Sequence, residues 1–332
     1  MRGIAALMVV IFHFTSRYAA LYPQSPETGW RFALGGYGVD FFFVLSGFVI
    51  FLSLERCAGP LQFAWLRFWR LFPVYWVSVI LTALLIWFAG APGQQDGLNV
   101  LVVIENLAMI HQFFHVPNVE GVYWTLAYEF AFYGWAALLY FALPRHRIEM
   151  IVLIYATLAF VVTVVVNSAG YEIPYALTLA FLLDYAQLFA AGVMLFHVWR
   201  DGLSGSRVLM LLWFALMHGY LHGMIGLVLI AGVFLSILAV MRGALGWLKN
   251  PVLLFFGAIS YSLYLMHETF GHSVMYHLIA RGVPPRLATL VALIASILMA
   301  TLLTFLIERP TLRLVRQRSR LRPGAALSPS AH

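Results

Sequence analysis

Residues 2–14 of this sequence read RGIAALMVVIFHF, an apolar run with a cation at its start and an imidazole near its end. Arg2 and His13 are eleven residues apart, which in an α-helix corresponds to roughly 16 Å, about half the thickness of a bilayer core. With Arg2 at a membrane surface, His13 would lie near the midplane. An ionisable side chain is energetically unfavourable at that depth, so this position indicates a functional site.

The composition places the chain among membrane proteins. Hydrophobic residues make up 63% of the 332 residues and charged residues only 10%, against roughly 25% in soluble domains. Apolar runs recur along the whole sequence and predict an all-α, polytopic transmembrane helical bundle of about ten spans over residues 1–310, followed by a basic, disordered cytoplasmic tail over 311–332. The predicted spans are 2–22, 37–54, 70–90, 121–143, 148–167, 174–199, 207–220, 223–241, 255–278 and 286–307.

The distribution of basic residues predicts the orientation. A cytoplasmic N-terminus leaves 16 of the 20 lysine and arginine residues inside, with only Arg17, Arg31, Arg281 and Arg286 outside. Both termini are therefore predicted to be cytoplasmic. The formal charge of +7 is explained by these retained arginines, so we expect no nucleic-acid partner. The single cysteine, Cys57, excludes an internal disulfide.

One apolar segment is too short to be a span. Residues 97–115 follow the turn sequence PGQQDG and are predicted to form a re-entrant or interfacial helix on the outer side. His111 and His115 within it have the i, i+4 spacing that suits a metal ion, but no third ligand is evident. We therefore predict no metal site.

Three ionisable residues in separate spans are the candidates for catalysis: His13, Asp40 and Glu129. Counted from the span ends, both carboxylates are predicted to lie at the depth of His13 or further out. A carboxylate beside an imidazole fixes its tautomer and stabilises the imidazolium, as a general base requires. Structural explanations stay open: a hydrogen-bonded buried histidine, a helix N-terminal charge for Asp40, and a structural hydrogen bond for Glu129.

The arginines near the opposite surface suggest an anion site. Arg67 and Arg70 are three residues apart, which places both guanidinium groups on one helix face beside Arg2, in a geometry suited to phosphate. Retention of positive charge on the cytoplasmic side is the alternative explanation. Weaker candidates are His267, at the end of SYSLYLMH (260–267), and Asp184, which is predicted to make polar contacts between helices.

Taken in order, these blocks resemble the acyltransferase 3 family, integral membrane O-acyltransferases that modify bacterial surface sugars and other hydroxylated acceptors. The resemblance covers all ten predicted spans. The blocks that carry it are Arg-X10-His from Arg2 to His13, GVDFFFVLSGF at 38–48, Arg-X-X-Arg at 67–70 followed by Pro73 and Tyr75-Trp76, WTLAYEFAFY at 124–133, SYSLYLMH at 260–267, and Glu308-Arg309-Pro310.

The resemblance implies a multi-pass protein of the bacterial inner membrane that uses cytoplasmic acyl-CoA, commonly acetyl-CoA, as co-substrate and holds no permanent cofactor. The acceptor would be a carbohydrate or another hydroxylated molecule that approaches from the outer side. In the family a few residues usually precede the first arginine, which leaves open a start upstream of Met1. No SGNH-type domain follows the last span, so transfer would be completed by the membrane domain alone or with a partner.

Carried over by position, His13 would be the catalytic histidine, with Asp40 and Glu129 as polar partners. Arg2, Arg67 and Arg70 would serve the acyl-CoA side. Supporting or acceptor-side candidates are Ser46, Trp124, Tyr128, Tyr133, Tyr264 and His267.

Two mechanisms and one other function class stay open. His13 would either deprotonate the acceptor hydroxyl for direct attack on the thioester, or carry the acyl group transiently itself. A proton-coupled transporter of small molecules or lipid-linked sugars would also use intramembrane His, Asp and Glu, but it gives no reason for the pair Arg67 and Arg70. A purely structural membrane protein explains neither the intramembrane ionisable residues nor the pair Arg67 and Arg70.

Overall fold

The computed structural model describes residues 1–26 and 28–320, and all regular secondary structure in this part of the chain is helical. The all-α prediction is confirmed. The helices are α1 Arg2–Leu21, α2 Ala33–Leu54, α3 Pro60–Ala89, α4 Val100–Asn106, α5 Trp124–Ala142, α6 Ile148–Ser168, α7 Tyr175–Ala180, α8 Ala186–Asp201, α9 Gly205–Met241, α10 Pro251–Ala280, α11 Pro285–Leu303 and α12 Arg309–Arg320, with 3₁₀ turns at His111–Phe114, Gly121–Tyr123, Arg145–Arg147 and Gly246–Lys249.

Six of the described helical segments are long and apolar enough to cross a membrane. They contain α1, α2, α3, α6, α9 and α11. Helical residues also occupy the other predicted spans, with a break at residues 181–185 between α7 and α8. This is the architecture of a multi-pass membrane bundle; the exact number of spans and the cytoplasmic location of the termini remain predictions.

Helix α9 is a hairpin rather than one long rod. Its backbone leaves the helical conformation at Gly223, where φ is 76°. A methyl group on Gly219 would lie 2.8 Å from Cβ of Leu227, and one on Gly226 would lie 2.7 Å from Cβ of His222. Positions 219 and 227 of a continuous helix would be about 12 Å apart, so the chain reverses at Gly223. This reversal agrees with the two separate spans predicted over residues 207–220 and 223–241.

Helix α8 forms the centre of the bundle, because every residue from Ala186 to Val198 is buried. It packs against α2, α6 and α9. The α2 crossing is close because two glycines meet there: a Cβ on Gly192 would overlap the carbonyl oxygen of Val44, and one on Gly47 would overlap that of Phe189. Small residues commonly allow helices to approach in this way inside membranes.

Substituting Gly192 tests this crossing. We expect Gly192→Ala to destabilise the bundle by about 1–3 kcal/mol, because the added methyl group forces two backbones apart. The measurement is the thermal unfolding midpoint of the purified protein in detergent. Gly134→Ala is the matched control, since a Cβ at that exposed position of α5 meets no atom within 4 Å. Equal midpoints for the two variants would contradict the packing described here.

Two peripheral segments of the predicted topology are the short outer helix over residues 97–115 and the tail from residue 311. Helix α4 lies within the predicted short outer helix and packs against α3, whose Tyr75 and Trp76 donate hydrogen bonds to the carbonyls of Asn106 and Leu107 at 2.7 and 2.9 Å. Residues 311–320 of the predicted tail belong to α12, which continues the last span and packs against α3, and Val315 of this helix is buried. Residues 321–332 lie outside the described residues.

Candidate active site

Arginines from two helices line one cavity, which we call the arginine cavity. Arg2 comes from the first turn of α1, and Arg67 and Arg70 lie one turn apart on α3. Glu129 and Tyr133 of α5 form part of the same wall. Converging guanidinium groups are well suited to bind phosphate. The structure thus brings together the three arginines that the sequence singled out.

The charges around the arginine cavity do not cancel. Arg70 Nη1 lies 3.7 Å from Oε1 of the buried Glu308, and Arg67 donates a hydrogen bond to the Ser53 hydroxyl. The other nearby carboxylate is Glu129. Because three guanidinium groups face two carboxylates, the cavity keeps an excess of positive charge that attracts an anion.

Glu129 belongs to the arginine cavity and not to His13. Its Oε1 accepts a hydrogen bond from the Ser46 hydroxyl at 2.7 Å, and its Oε2 accepts one from the Tyr133 hydroxyl at 3.0 Å. The predicted pairing of Glu129 with His13 is therefore not found. Counting turns along a span gives the depth of a residue but not the direction in which its side chain points.

A second and larger cavity, of about 290 Å³, contains the imidazole of His13, and we call it the histidine cavity. Charged side chains around it are Arg17, Asp40 and Glu268. Aromatic walls are supplied by Phe12, Trp124, Tyr185 and Tyr264. Carboxylates accept hydrogen bonds from hydroxyl groups and aromatic faces contact C–H groups, so this lining suits a polar ring that carries hydroxyl groups.

The hydrogen bonds of His13 indicate its tautomer. Its Nδ1 lies 2.8 Å from the carbonyl oxygen of Val9 and 3.2 Å from Nε2 of His267. His267 Nδ1 lies 3.0 Å from the carbonyl oxygen of Tyr264, so it carries the proton and leaves its Nε2 as an acceptor. His13 Nδ1 is then the protonated nitrogen, and Nε2 keeps a free lone pair. His13 is the first residue of a π-helical turn, His13–Arg17, and such turns are often found at functional sites.

The carboxylate next to His13 is Glu268, which the sequence analysis missed. Its Oε1 lies 3.6 Å from His13 Nε2 and 3.7 Å from Arg17 Nε. The side chain lies so close to Gly121 that a Cβ there would overlap it. A signal was present, because Glu268 is an ionisable residue inside a predicted span and directly follows His267.

Asp40 lines the histidine cavity but is not paired with His13. Its Oδ2 lies 3.5 Å from Nε2 of His218, a fully buried residue of α9. The expectation that Asp40 directly orients His13 is therefore not met. The sequence predicts separate spans over 207–220 and 223–241, but which histidine between them faces α2 depends on the close approach of the two halves of α9.

A third cavity, of about 40 Å³, lies between the other two. It shares Arg2 and Glu129 with the arginine cavity, and it shares Val39 and Tyr264 with the histidine cavity. The rings of Phe42 and Tyr264 meet edge to face across it, with centroids 5.6 Å apart. The two sites are thus separated by this small cavity and by the aromatic contact between Phe42 and Tyr264.

Comparison with known proteins adds a separate observation to this arrangement of three arginines, an imidazole and a carboxylate. The family model described as "Acyltransferase domain" matches residues 1–309. The chain belongs to the acyltransferase 3 family. The exopolysaccharide production protein ExoZ of Rhizobium meliloti (strain 1021) is 30% identical over 328 residues, which covers 90% of this chain and 96% of ExoZ. No solved structure matches. The protein is a membrane acyltransferase.

The supporting candidates of this acyltransferase separate into groups. Trp124 and Tyr264 line the histidine cavity, and His267 contacts the His13 ring. Ser46 and Tyr133, in contrast, line the arginine cavity. The hydroxyl of Tyr128 donates to Asp184 at 3.1 Å, outside the three cavities.

One further cluster in the acyltransferase has the composition of a metal site. Ligand atoms of Glu149, His197 and Asp201 lie within 4.8 Å of one another. Two guanidinium groups already occupy the carboxylates: Arg207 contacts Glu149 and Arg200 contacts Asp201, each at 2.7 Å. Hydrogen bonding from Arg200 lowers the pKa of Asp201, at the end of α8, to about 2. We interpret the cluster as an ion-pair network that fastens α6, α8 and α9 together.

Proposed function

We propose that the protein transfers an acyl group, acetyl in the first instance, from cytoplasmic acyl-CoA to a hydroxyl of a carbohydrate at the outer face of the cytoplasmic membrane. The observation that carries this proposal is the arrangement of the arginine cavity and the histidine cavity on either side of a small shared cavity, which would form a passage if Phe42 and Tyr264 parted. Acyl-CoA fits this arrangement, because its nucleotide end is charged and its thioester end is reactive. The similarity to ExoZ, whose name refers to exopolysaccharide production, supports a carbohydrate acceptor.

The donor would bind with its phosphates at Arg2, Arg67 and Arg70. The excess positive charge of this cavity favours the nucleotide end of acyl-CoA, and guanidinium groups bind phosphate oxygens in a bidentate manner. The pantetheine arm would extend into the passage, past Phe42 and Tyr264. For the arm to pass, the edge-to-face contact of these two rings must open.

The acceptor would enter the histidine cavity. Nε2 of His13 carries the free lone pair, so it is the atom that removes a proton from the acceptor hydroxyl. The resulting positive charge on the imidazole is stabilised by Glu268, whose carboxylate lies 3.6 Å from the same nitrogen. The oxygen then forms a bond to the thioester carbonyl carbon, the carbon–sulfur bond breaks, and the imidazolium proton passes to the departing thiolate.

A covalent route uses the same atom. In that case His13 Nε2 attacks the thioester carbonyl carbon and the carbon–sulfur bond breaks, so that CoA leaves as the thiolate. The acceptor hydroxyl then attacks the acyl-imidazolium, the carbon–nitrogen bond breaks, and the hydroxyl proton passes to the thiolate. Both routes require the Nδ1 proton to be held by the Val9 carbonyl and by His267.

The proposal is tested by mixing the detergent-purified protein with acetyl-CoA and an extract of surface glycans, and measuring free thiol. We expect release that depends on both the protein and the extract, and transfer of radiolabelled acetyl to the glycan fraction. A folded protein that releases no thiol from acetyl-, propionyl- or butyryl-CoA in the presence of glycans would contradict it.

Glu268→Gln tests the assignment of the carboxylate. We expect kcat to fall by about 10- to 100-fold, because the amide no longer stabilises the imidazolium that forms in the transition state. The KM for acetyl-CoA should change little, since Glu268 lines only the histidine cavity. Glu172→Gln, in an exposed loop, is the matched control. An unchanged kcat in Glu268→Gln would exclude this role.

A further inference from the structure

Among the buried carboxylates of the described residues, Asp40 and Glu268 accept no hydrogen bond, and Glu268 has ion-pair contacts with His13 and Arg17 instead. Glu129 accepts two hydrogen bonds from side chains, and Glu120 accepts one from the Thr269 amide at 2.9 Å. The carboxylate of Asp40, only 9% exposed, accepts none from the described residues. The described side chain at ion-pair distance from it is that of His218, with Nε2 3.5 Å from Oδ2. A buried carboxylate in this state has unused acceptor capacity.

The side chain next to Asp40 on α9 is that of His218. The imidazole is completely buried, and neither ring nitrogen forms a hydrogen bond in the described part of the chain. The ring centroid lies 4.4 Å from that of His222, and a Cβ on Gly226 would lie 2.7 Å from Cβ of His222, so the two halves of the hairpin are closely packed beside His218. The tight hairpin of α9 therefore holds His218 against Asp40.

The surroundings of Asp40 indicate what its free oxygens bind. Asp40 and His13 line the same cavity, whose volume of about 290 Å³ lies near the lower limit of small-molecule sites. The rings of Trp124 and Tyr185 form flat apolar walls in it. A single sugar residue fits this chemistry, because it presents C–H groups to aromatic faces and hydroxyl groups to carboxylates.

We propose that Asp40, positioned by His218, accepts a hydrogen bond from a second hydroxyl of the acceptor, next to the hydroxyl that His13 deprotonates. This rests on the proposed acyl transfer and specifies its acceptor: a molecule with neighbouring hydroxyl groups is favoured over a simple alcohol. Asp40 also determines which hydroxyl reaches Nε2 of His13. Its role is acceptor binding, and His218 is a positioning residue.

The test compares two small probes, trans-1,2-cyclohexanediol and cyclohexanol, as acceptors with acetyl-CoA. For the wild-type protein we expect kcat/KM to be about 10- to 100-fold higher for the diol, the range of a hydrogen bond to a charged group. In Asp40→Asn this ratio should fall to a few-fold or less. Because the ratio is measured within one variant, reduced folding yield does not affect it.

Two variants at His218 separate positioning from general destabilisation. His218→Gln keeps an N–H group that can face Asp40, so we expect most of the diol preference to be retained. His218→Phe removes it and should lower the preference, mainly through the KM for the diol. Equal loss in both variants would contradict a positioning role.

The outcomes also distinguish this proposal from the proposed function. A wild-type ratio near one, or a preference that persists in Asp40→Asn while release still requires His13, overturns the assignment of Asp40 alone. If no probe and no glycan gives His13-dependent thiol release from acetyl-CoA, acyl transfer and the Asp40 assignment are overturned together.

Discussion

Replacing His13 with alanine is expected to lower acetyl transfer by about 10²- to 10⁴-fold, the range over which a positioned general base contributes. The variant loses Nε2, the atom that removes the acceptor proton, together with the imidazolium that Glu268 stabilises. The measurement is thiol release from acetyl-CoA in the presence of surface glycans. Because the imidazole lies in a cavity, its removal should leave assembly in the membrane intact.

The control for this variant is His146→Ala, which removes an exposed histidine from a connecting turn. Both variants should elute as the same species in size-exclusion chromatography. Transfer at a near wild-type rate by purified His13→Ala would refute the catalytic role. With the wild-type protein, rapid quenching before acceptor addition distinguishes the two routes, since only the covalent route leaves label on the protein.

Replacing both Arg67 and Arg70 with alanine is expected to raise the KM for acetyl-CoA by about 100-fold or more, since each charged hydrogen bond to phosphate contributes on the order of 1.5–3 kcal/mol. The chemical step should be affected less, because neither arginine lines the histidine cavity. The measurement is the dependence of thiol release on acetyl-CoA concentration.

A donor without phosphates makes this prediction specific. S-acetyl-N-acetylcysteamine carries the thioester and the end of the pantetheine arm but no anionic group. We expect the double variant to use it as well as the wild type does. Equal losses with both donors would indicate that the arginines act through architecture, as the contacts of Arg70 with Glu308 and of Arg67 with Ser53 would allow. Arg56→Ala, at an exposed position, is the matched control.

The helical architecture follows closely from the sequence because membrane helices are specified by local information. An apolar run of sufficient length satisfies its own backbone hydrogen bonds, so its position can be read without its neighbours. The break between the predicted spans 207–220 and 223–241 agrees with the reversal of the chain at Gly223. The continuation of α12 to Arg320 was not predicted, because its packing against α3 is a contact between distant parts of the sequence.

The candidate site was predictable in its membership but not in its pairing. His13 and the three arginines were recognised because ionisable residues are rare inside spans. In the structure the carboxylate next to His13 is Glu268, whereas Asp40 and Glu129 were expected there. Such pairing depends on the rotation of each helix about its axis, which spacing along one sequence does not determine.

The contact between Phe42 and Tyr264 has a consequence for the membrane itself. A passage that joined the two cavities openly would conduct protons and small ions down the membrane potential, which is worth about 2.3 kcal/mol per charge for every 100 mV. Two aromatic rings meeting edge to face interrupt such a path with apolar surface. A thioester arm that parted them would fill the space it opened, so the bilayer would stay electrically insulating while an acyl group crossed it.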